Sequence, residues 1–169
     1  ANDICVNNIV ANDICVNNII ANDIISEKIN NVFLNYDICN NLLAITNHNF
    51  TTIDISAENN TFFGYNSGLN LTTGKGNVSI GFETLKMNND GLYNVAIGEK
   101  VLTDNTSGAN NTGIGFNVLF KNNIGENNTG LGSFALYNNT IGEDNIAIGV
   151  SSLKQNVSGA NNIAIGYES

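Results

Sequence analysis

The chain has 169 residues, six lysines, no arginine and a formal net charge of −9. Nothing supplies a basic stripe to neutralise phosphates, so composition excludes nucleic acid as a partner. No apolar run approaches the roughly twenty residues of a membrane-crossing helix, so no membrane span is expected.

The first element in chain order is a decad repeat. Residues 1–10 (ANDICVNNIV) return almost unchanged at 11–20 and in part at 21–25. Isoleucine recurs every fifth residue from Ile4 to Ile29. Five residues of α-helix turn about 500°, so this column would wind around a helix and leave no stripe. The local patterns Ile4-x-Val6 and Ile14-x-Val16 suit short strands broken at Asn-Asn corners. Beyond them, Ile25, Ile29, Val32, Tyr36, Cys39 and Leu43 keep a 4-3-4-3-4 spacing, which predicts a short helical seam of the coiled-coil kind. Residues 47–59 read as a linker or an irregular first coil. We read 1–59 as an N-terminal assembly or stalk segment, with an atypical solenoid cap as the alternative.

Three cysteines lie in this segment. Cys5 and Cys15, if extended, stand roughly 33 Å apart, far beyond the ~7 Å limit for one disulfide. Cys39 leaves the count odd, which makes Cys5, Cys15 and Cys39 candidates for bonds between chains. The competing reading is three small buried hydrophobes in a reduced protein. His48, the single histidine, has no cysteine or carboxylate at ligand spacing and reads as a solvated linker residue.

From residue 60 onward a seventeen-residue period holds without a slip. Asn60, Asn77, Asn94, Asn111, Asn128, Asn145 and Asn162 share one phase. Gly64, Gly81, Gly98, Gly115, Gly132, Gly149 and Gly166 follow four residues later, and a second glycine series runs from Gly74 to Gly159. A fixed period of this size marks a solenoid whose units stack on one another. Each unit offers two strand-like runs. In Asn94-Val95-Ala96-Ile97-Gly98 the valine and isoleucine share one face and Ala96 takes the other. The second run, such as Lys100-Val101-Leu102-Thr103, supplies a core leucine. Gly98 permits a corner between them, and Asn-x-x-Gly (Asn105 to Gly108, Asn122 to Gly125) reads as a type I return turn. The expected interior is two facing layers of Ile, Val and Leu. Stacked in register, like asparagines lie about 4.7–4.9 Å apart, a spacing at which side-chain amides bond as a ladder. The fold class is therefore all-β: a β-solenoid (β-roll) of about six 17-residue coils over 60–169.

The run Asn94-Val95-Ala96-Ile97-Gly98, with Asn145 to Gly149 and Asn162 to Gly166, resembles the head repeats of trimeric autotransporter adhesins. The longer unit is similar to N-T-A-I-G arrays in phage and viral tail fibres and bacterial surface proteins. This resemblance covers residues 60–169. It implies a β-roll that packs as a trimer about a three-fold axis and presents an adhesive or spacer surface. The period departs from the adhesin unit of roughly fourteen residues, and the position after Asn is often Thr or Ile.

Catalytic parts are few. Glu126 and Glu143 share one phase, with Asp144 beside the second, and stacking would let them repel or share a cation. A plain solvated face is the favoured reading of so short a column. Phe82, Phe116, Tyr65 and Tyr167 follow the first glycine and read as packing between subunits or as a surface for glycans. No enzyme, cofactor or metal is expected. The leading expectation is a structural or adhesive fibre module on a cell or virion surface, extracellular, with itself as principal partner (trimer or filament) and a surface receptor or glycan as a further one. The alternative is a carbohydrate-processing or glycan-binding solenoid of the tail-spike kind, for which only fold analogy speaks.

Overall fold

The computed structural model describes residues 24–25, 33–37, 42–46 and 57–169. Its strands are β1 (Ile24–Ile25), β2 (Phe33–Asp37), β3 (Leu42–Thr46), β4 (Thr61–Gly64), β5 (Val78–Ile80), β6 (Val95–Glu99), β7 (Thr112–Phe116), β8 (Thr129–Leu131), β9 (Ile146–Ile148) and β10 (Ile163–Ile165). Among the described residues they form a single ten-stranded sheet in chain order. β1, β2 and β3 are antiparallel neighbours, and every pair from β3 to β10 is parallel. The parallel register is one period throughout: Val95 faces Thr112, which faces Thr129, which faces Ile146. The chain is thus a β-solenoid of seventeen-residue coils.

Three expectations need correction. The heptad spacing of Ile25, Tyr36 and Leu43 predicts a helix, but these residues lie on β1, β2 and β3. Asparagine and β-branched residues make poor helix, and pairing with a ready sheet edge satisfies the backbone instead. The second run of each coil is likewise not a strand. Lys100 and Leu102 have φ of 54° and 51°, so left-handed residues alternate with ordinary ones and bend the run into a turn. Its backbone bonds still pass between coils: Lys100 N–H donates to Phe82 O at 2.8 Å, and Leu102 N–H donates to Val118 O at 3.0 Å. Left-handed leucine is strained, and it recurs at Leu85, Leu119, Leu136 and Leu153. Burial of the leucine and the paired backbone hold it there.

The interior also differs from two layers of branched side chains. From β5 onward the inward residue of the strand is the small one: Ser79, Ala96 and Ala147 are wholly buried. Opposite them lie the buried leucines Leu85, Leu102, Leu119 and Leu136, with Val101, Val118 and Ala135. Strand valines and isoleucines point outward. A coil this narrow cannot hold β-branched side chains on both walls, so volume assigns the faces. At the N-terminal end Phe62 and Leu71 pack with Ala44 and Ala57, which ties β3 to the first coil.

Asparagine closes the interior. Asn77 Nδ2 donates to Asn60 Oδ1 at 3.0 Å and to Gly91 O at 2.9 Å. The Asn60 Oδ1 also accepts the Asn77 backbone N–H at 2.9 Å. The same bonds recur through Asn94, Asn111, Asn128 and Asn145, all wholly buried, to Asn162. Each interior amide therefore uses both donors and both acceptor sites, which removes the usual cost of burying it.

Candidate assembly surface

The outward faces of the strands build an extended apolar surface. One column runs Val78, Val95, Thr112, Thr129, Ile146, Ile163, and a second runs Ile80, Ile97, Ile114, Leu131, Ile148, Ile165. Ile114 is 41% exposed in mid-sheet, although neighbours flank it on both sides. Six strands at about 4.8 Å make the two columns roughly 24 Å long, an apolar area on the order of 300 Å². A patch of that size matches the largest on a typical monomer, and such patches are often functional.

From β4 to β10 each strand meets a glycine corner with a left-handed φ. Gly98 has φ of 133°, and a Cβ there would run into the carbonyl of Gly115 on the next coil. The corner lets the chain leave the sheet and presents the following side chain beside the apolar columns. Those side chains are the aromatic series expected from the sequence, and they form no continuous stack. Tyr65 and Phe82 stack at 5.4 Å with an interplanar angle of 9°. Glu99, Ser133 and Val150 occupy the same phase and interrupt the column. Phe116 instead meets Phe134 edge-on at 5.3 Å, and Tyr167 is exposed.

A second aromatic group lies on the turn run. Phe120 and Tyr137 stack at 5.4 Å, Lys121 Nζ sits 5.5 Å from the Tyr137 centroid, and Lys154 Nζ sits 4.9 Å from that of Phe134. An open groove of about 440 Å³ shares Lys121 with this group and is lined also by Met87, Asp104, Thr106, Asn123 and Thr140. Burial raises the Asp104 carboxyl above its ordinary value, against the opposing pull of Lys121 and Lys86. Nearby, Lys86 Nζ and Glu83 pair at 2.7 Å, and that hydrogen bond lowers the Glu83 pKa.

The repeat asparagines and Gly81, Gly98, Gly115, Gly132 and Gly149 come together as one ladder and one line of corners. Sequence reasoning missed a second ladder. Asn105 Nδ2 donates to Asn88 Oδ1 at 2.7 Å, Asn122 to Asn105 at 2.9 Å, Asn139 to Asn122 at 2.8 Å and Asn156 to Asn139 at 2.9 Å. Asn88, Asn105, Asn122 and Asn139 are wholly buried, whereas their Asn-x-x-Gly spacing reads as a surface turn. Their unbroken seventeen-residue phase is the signal that finds them. Glu126, Glu143 and Asp144 are all exposed. Among the described residues no group of three or more His, Cys, Asp or Glu could hold a metal ion, and no helix is long and apolar enough to cross a membrane. Cys5, Cys15, Cys39 and His48 lie outside the described residues.

No protein-family model, curated protein or solved structure matches this chain.

Proposed function

We propose that the chain is a structural fibre module, a β-solenoid that associates with copies of itself through the outer face of its sheet. The observation that carries this reading is the pair of outward columns, half-buried to exposed and mostly Val and Ile, on a face whose residues repeat every coil. A surface ridged at about 4.8 Å is matched best by another surface of the same period, and a second copy supplies one. A trimer about a three-fold axis, as the adhesin resemblance implies, would cover the face of each copy; a filament is the other closed-off arrangement. In this reading the module projects from a cell or virion surface as a spacer or adhesive element and performs no catalysis.

The experiment is light scattering on the purified full chain, with Ile114→Lys beside it. The expected outcome is a defined oligomer whose mass falls on introduction of the lysine. A stable monomer at tens of micromolar overturns the reading. A second reading, glycan binding, is favoured by the Phe120–Tyr137 stack beside the groove of Asp104, Lys121 and Asn123. It predicts that a glycan array retains the wild-type chain and loses the Tyr137→Ala chain.

A further inference from the structure

Near-identical coils create a problem that the outer columns and the asparagine ladders do not solve. Any coil presents the same asparagines to any other, so these features cannot tell the correct neighbour from the one beyond it. The inner columns do differ from coil to coil, and they differ in compensating pairs twelve residues apart. Gly113 lies against Val101: a Cβ added to Gly113 would come within 2.5 Å of Val101 Cγ1. Gly130 lies against Val118 in the same way, again at 2.5 Å. The next coil holds Ala135 and Ala147, both wholly buried, with the volume shared evenly. In the first coils the match is polar. Ser67 Oγ donates to Ser79 Oγ at 2.8 Å, and Ser79 Oγ donates to Thr84 Oγ1 at 2.6 Å, with all three residues wholly buried.

We propose that the Val118–Gly130 pair forms a register key, a conformational device that makes this coil accept its own successor and reject the coil after it. Leaving out residues 128–144 sets Val118 against Ala147, where a methyl replaces the hydrogen that Val118 needs. Leaving out 77–93 sets Ser67 against Ala96, a pairing the fold already accommodates where Ser152 Oγ donates to Ala164 O at 3.1 Å, so that joint is not keyed. Leaving out 94–110 sets Thr84 against Gly113 and opens a void. Leaving out 111–127 sets Val101 against Gly130, and leaving out 145–161 sets Ala135 against Ala164; both reproduce native pairs, so those joints carry no key. Valine is suited to the task because its χ1 is stiff and cannot swing aside.

The test exploits a change of sign. Neither Gly113 nor Gly130 has a left-handed φ. Alanine at either position should therefore raise the melting temperature by about 2 °C through the unfolded chain, unless a neighbour blocks it. Gly130→Ala in the wild-type background is expected to lower the melting temperature by about 5–10 °C. In a Val118→Ala background the same substitution is expected to raise it, since the pair becomes Ala–Ala as at 135 and 147. Stabilisation in both backgrounds, or loss of the same size in both, overturns the pairing.

Register itself is read by disulfide trapping during refolding of the full chain, with Cys5→Ser, Cys15→Ser and Cys39→Ser. Cysteines at exposed positions 123 and 157 stand two coils apart, about 9.6 Å, beyond disulfide reach; omission of one coil brings them to about 4.8 Å. Val118→Ala removes the block and is expected to raise the 123–157 disulfide about fivefold or more. An unchanged yield, with a 123–140 control that forms normally, overturns the key.

Discussion

From β5 to β9 each strand of this solenoid has two faces that obey opposite rules. Inward lie Ser79, Ala96, Gly113, Gly130 and Ala147; outward lie valine, isoleucine, leucine and threonine. By hydropathy alone the faces should be exchanged. They are not, because the inner wall already meets a row of leucines from the turn run, and the gap between backbones leaves room for little more than a methyl. Space, rather than apolar character, decides the interior of a narrow coil, and the larger apolar side chains are left for a surface that other molecules can cover.

The strongest way to break the inner side is to attack its leucine row. Leu119→Asn is expected to cost about 4–6 kcal/mol, the loss of a buried leucine plus an amide with no partner. Asn123→Ala, on the exposed adjacent corner, should cost less than about 0.5 kcal/mol. Thermal melts of the two variants check the contrast, and equal melting temperatures would refute the assignment of inside and outside.

The ladder that closes the interior comes next. Asn111→Ala removes bonds to Asn94 Oδ1 and Gly125 O and takes away the Oδ1 that accepts from Asn128. About 2–4 kcal/mol should be lost in denaturant titration, because neighbours in a dry column are left unpaired. A change below about 1 kcal/mol would mean that the ladder contributes shape and little energy.

The outer face should respond differently. Ile114→Thr is expected to change the stability of the dispersed chain by less than about 1 kcal/mol, since the side chain is already 41% exposed. The effect should appear in the concentration dependence of sedimentation instead. If this variant unfolds the dispersed chain, the two faces are equivalent and the comparison fails.

The smallest effect belongs to the solvated turn run. Glu83 is held below its ordinary 4.5 by the Lys86 hydrogen bond. A depressed acid contributes stability above its unfolded value and loses it as pH falls through the folded one. Lys86→Ala should therefore cost a little stability at neutral pH, a difference that fades as pH falls below about 4.5 and so flattens the profile there. Asp104 has the opposite sign: its raised pKa means that ionisation slightly disfavours the fold as pH rises through the carboxylate range. Denaturation curves at pH 3 and pH 6, with and without Asp104→Asn, separate the two.

Much of this molecule is legible in its residues. The seventeen-residue phase predicts in-register stacking, the Asn60-to-Asn162 ladder and the glycine corners, because a repeat read along the chain becomes a column when coils stack. The second ladder carried the same signal at Asn88, Asn105, Asn122, Asn139 and Asn156, but local turn preference for Asn-x-x-Gly points to solvent and hides it. The heptad from Ile25 to Leu43 misleads for a related reason: spacing counts apolar residues and says nothing of an available sheet edge.

By itself, then, the sequence determines period, corner and stacking order, since these depend on backbone freedom and on like residues meeting like. Which face is inside was decided only in three dimensions. Alternation assigns Val95 and Ile97 to one side and Ala96 to the other, and it is silent on which side is dry. That choice depends on how closely two backbones approach. The approach is set by Leu102 and its equivalents, held in left-handed turns across the coil, and no window of neighbouring residues contains that distance.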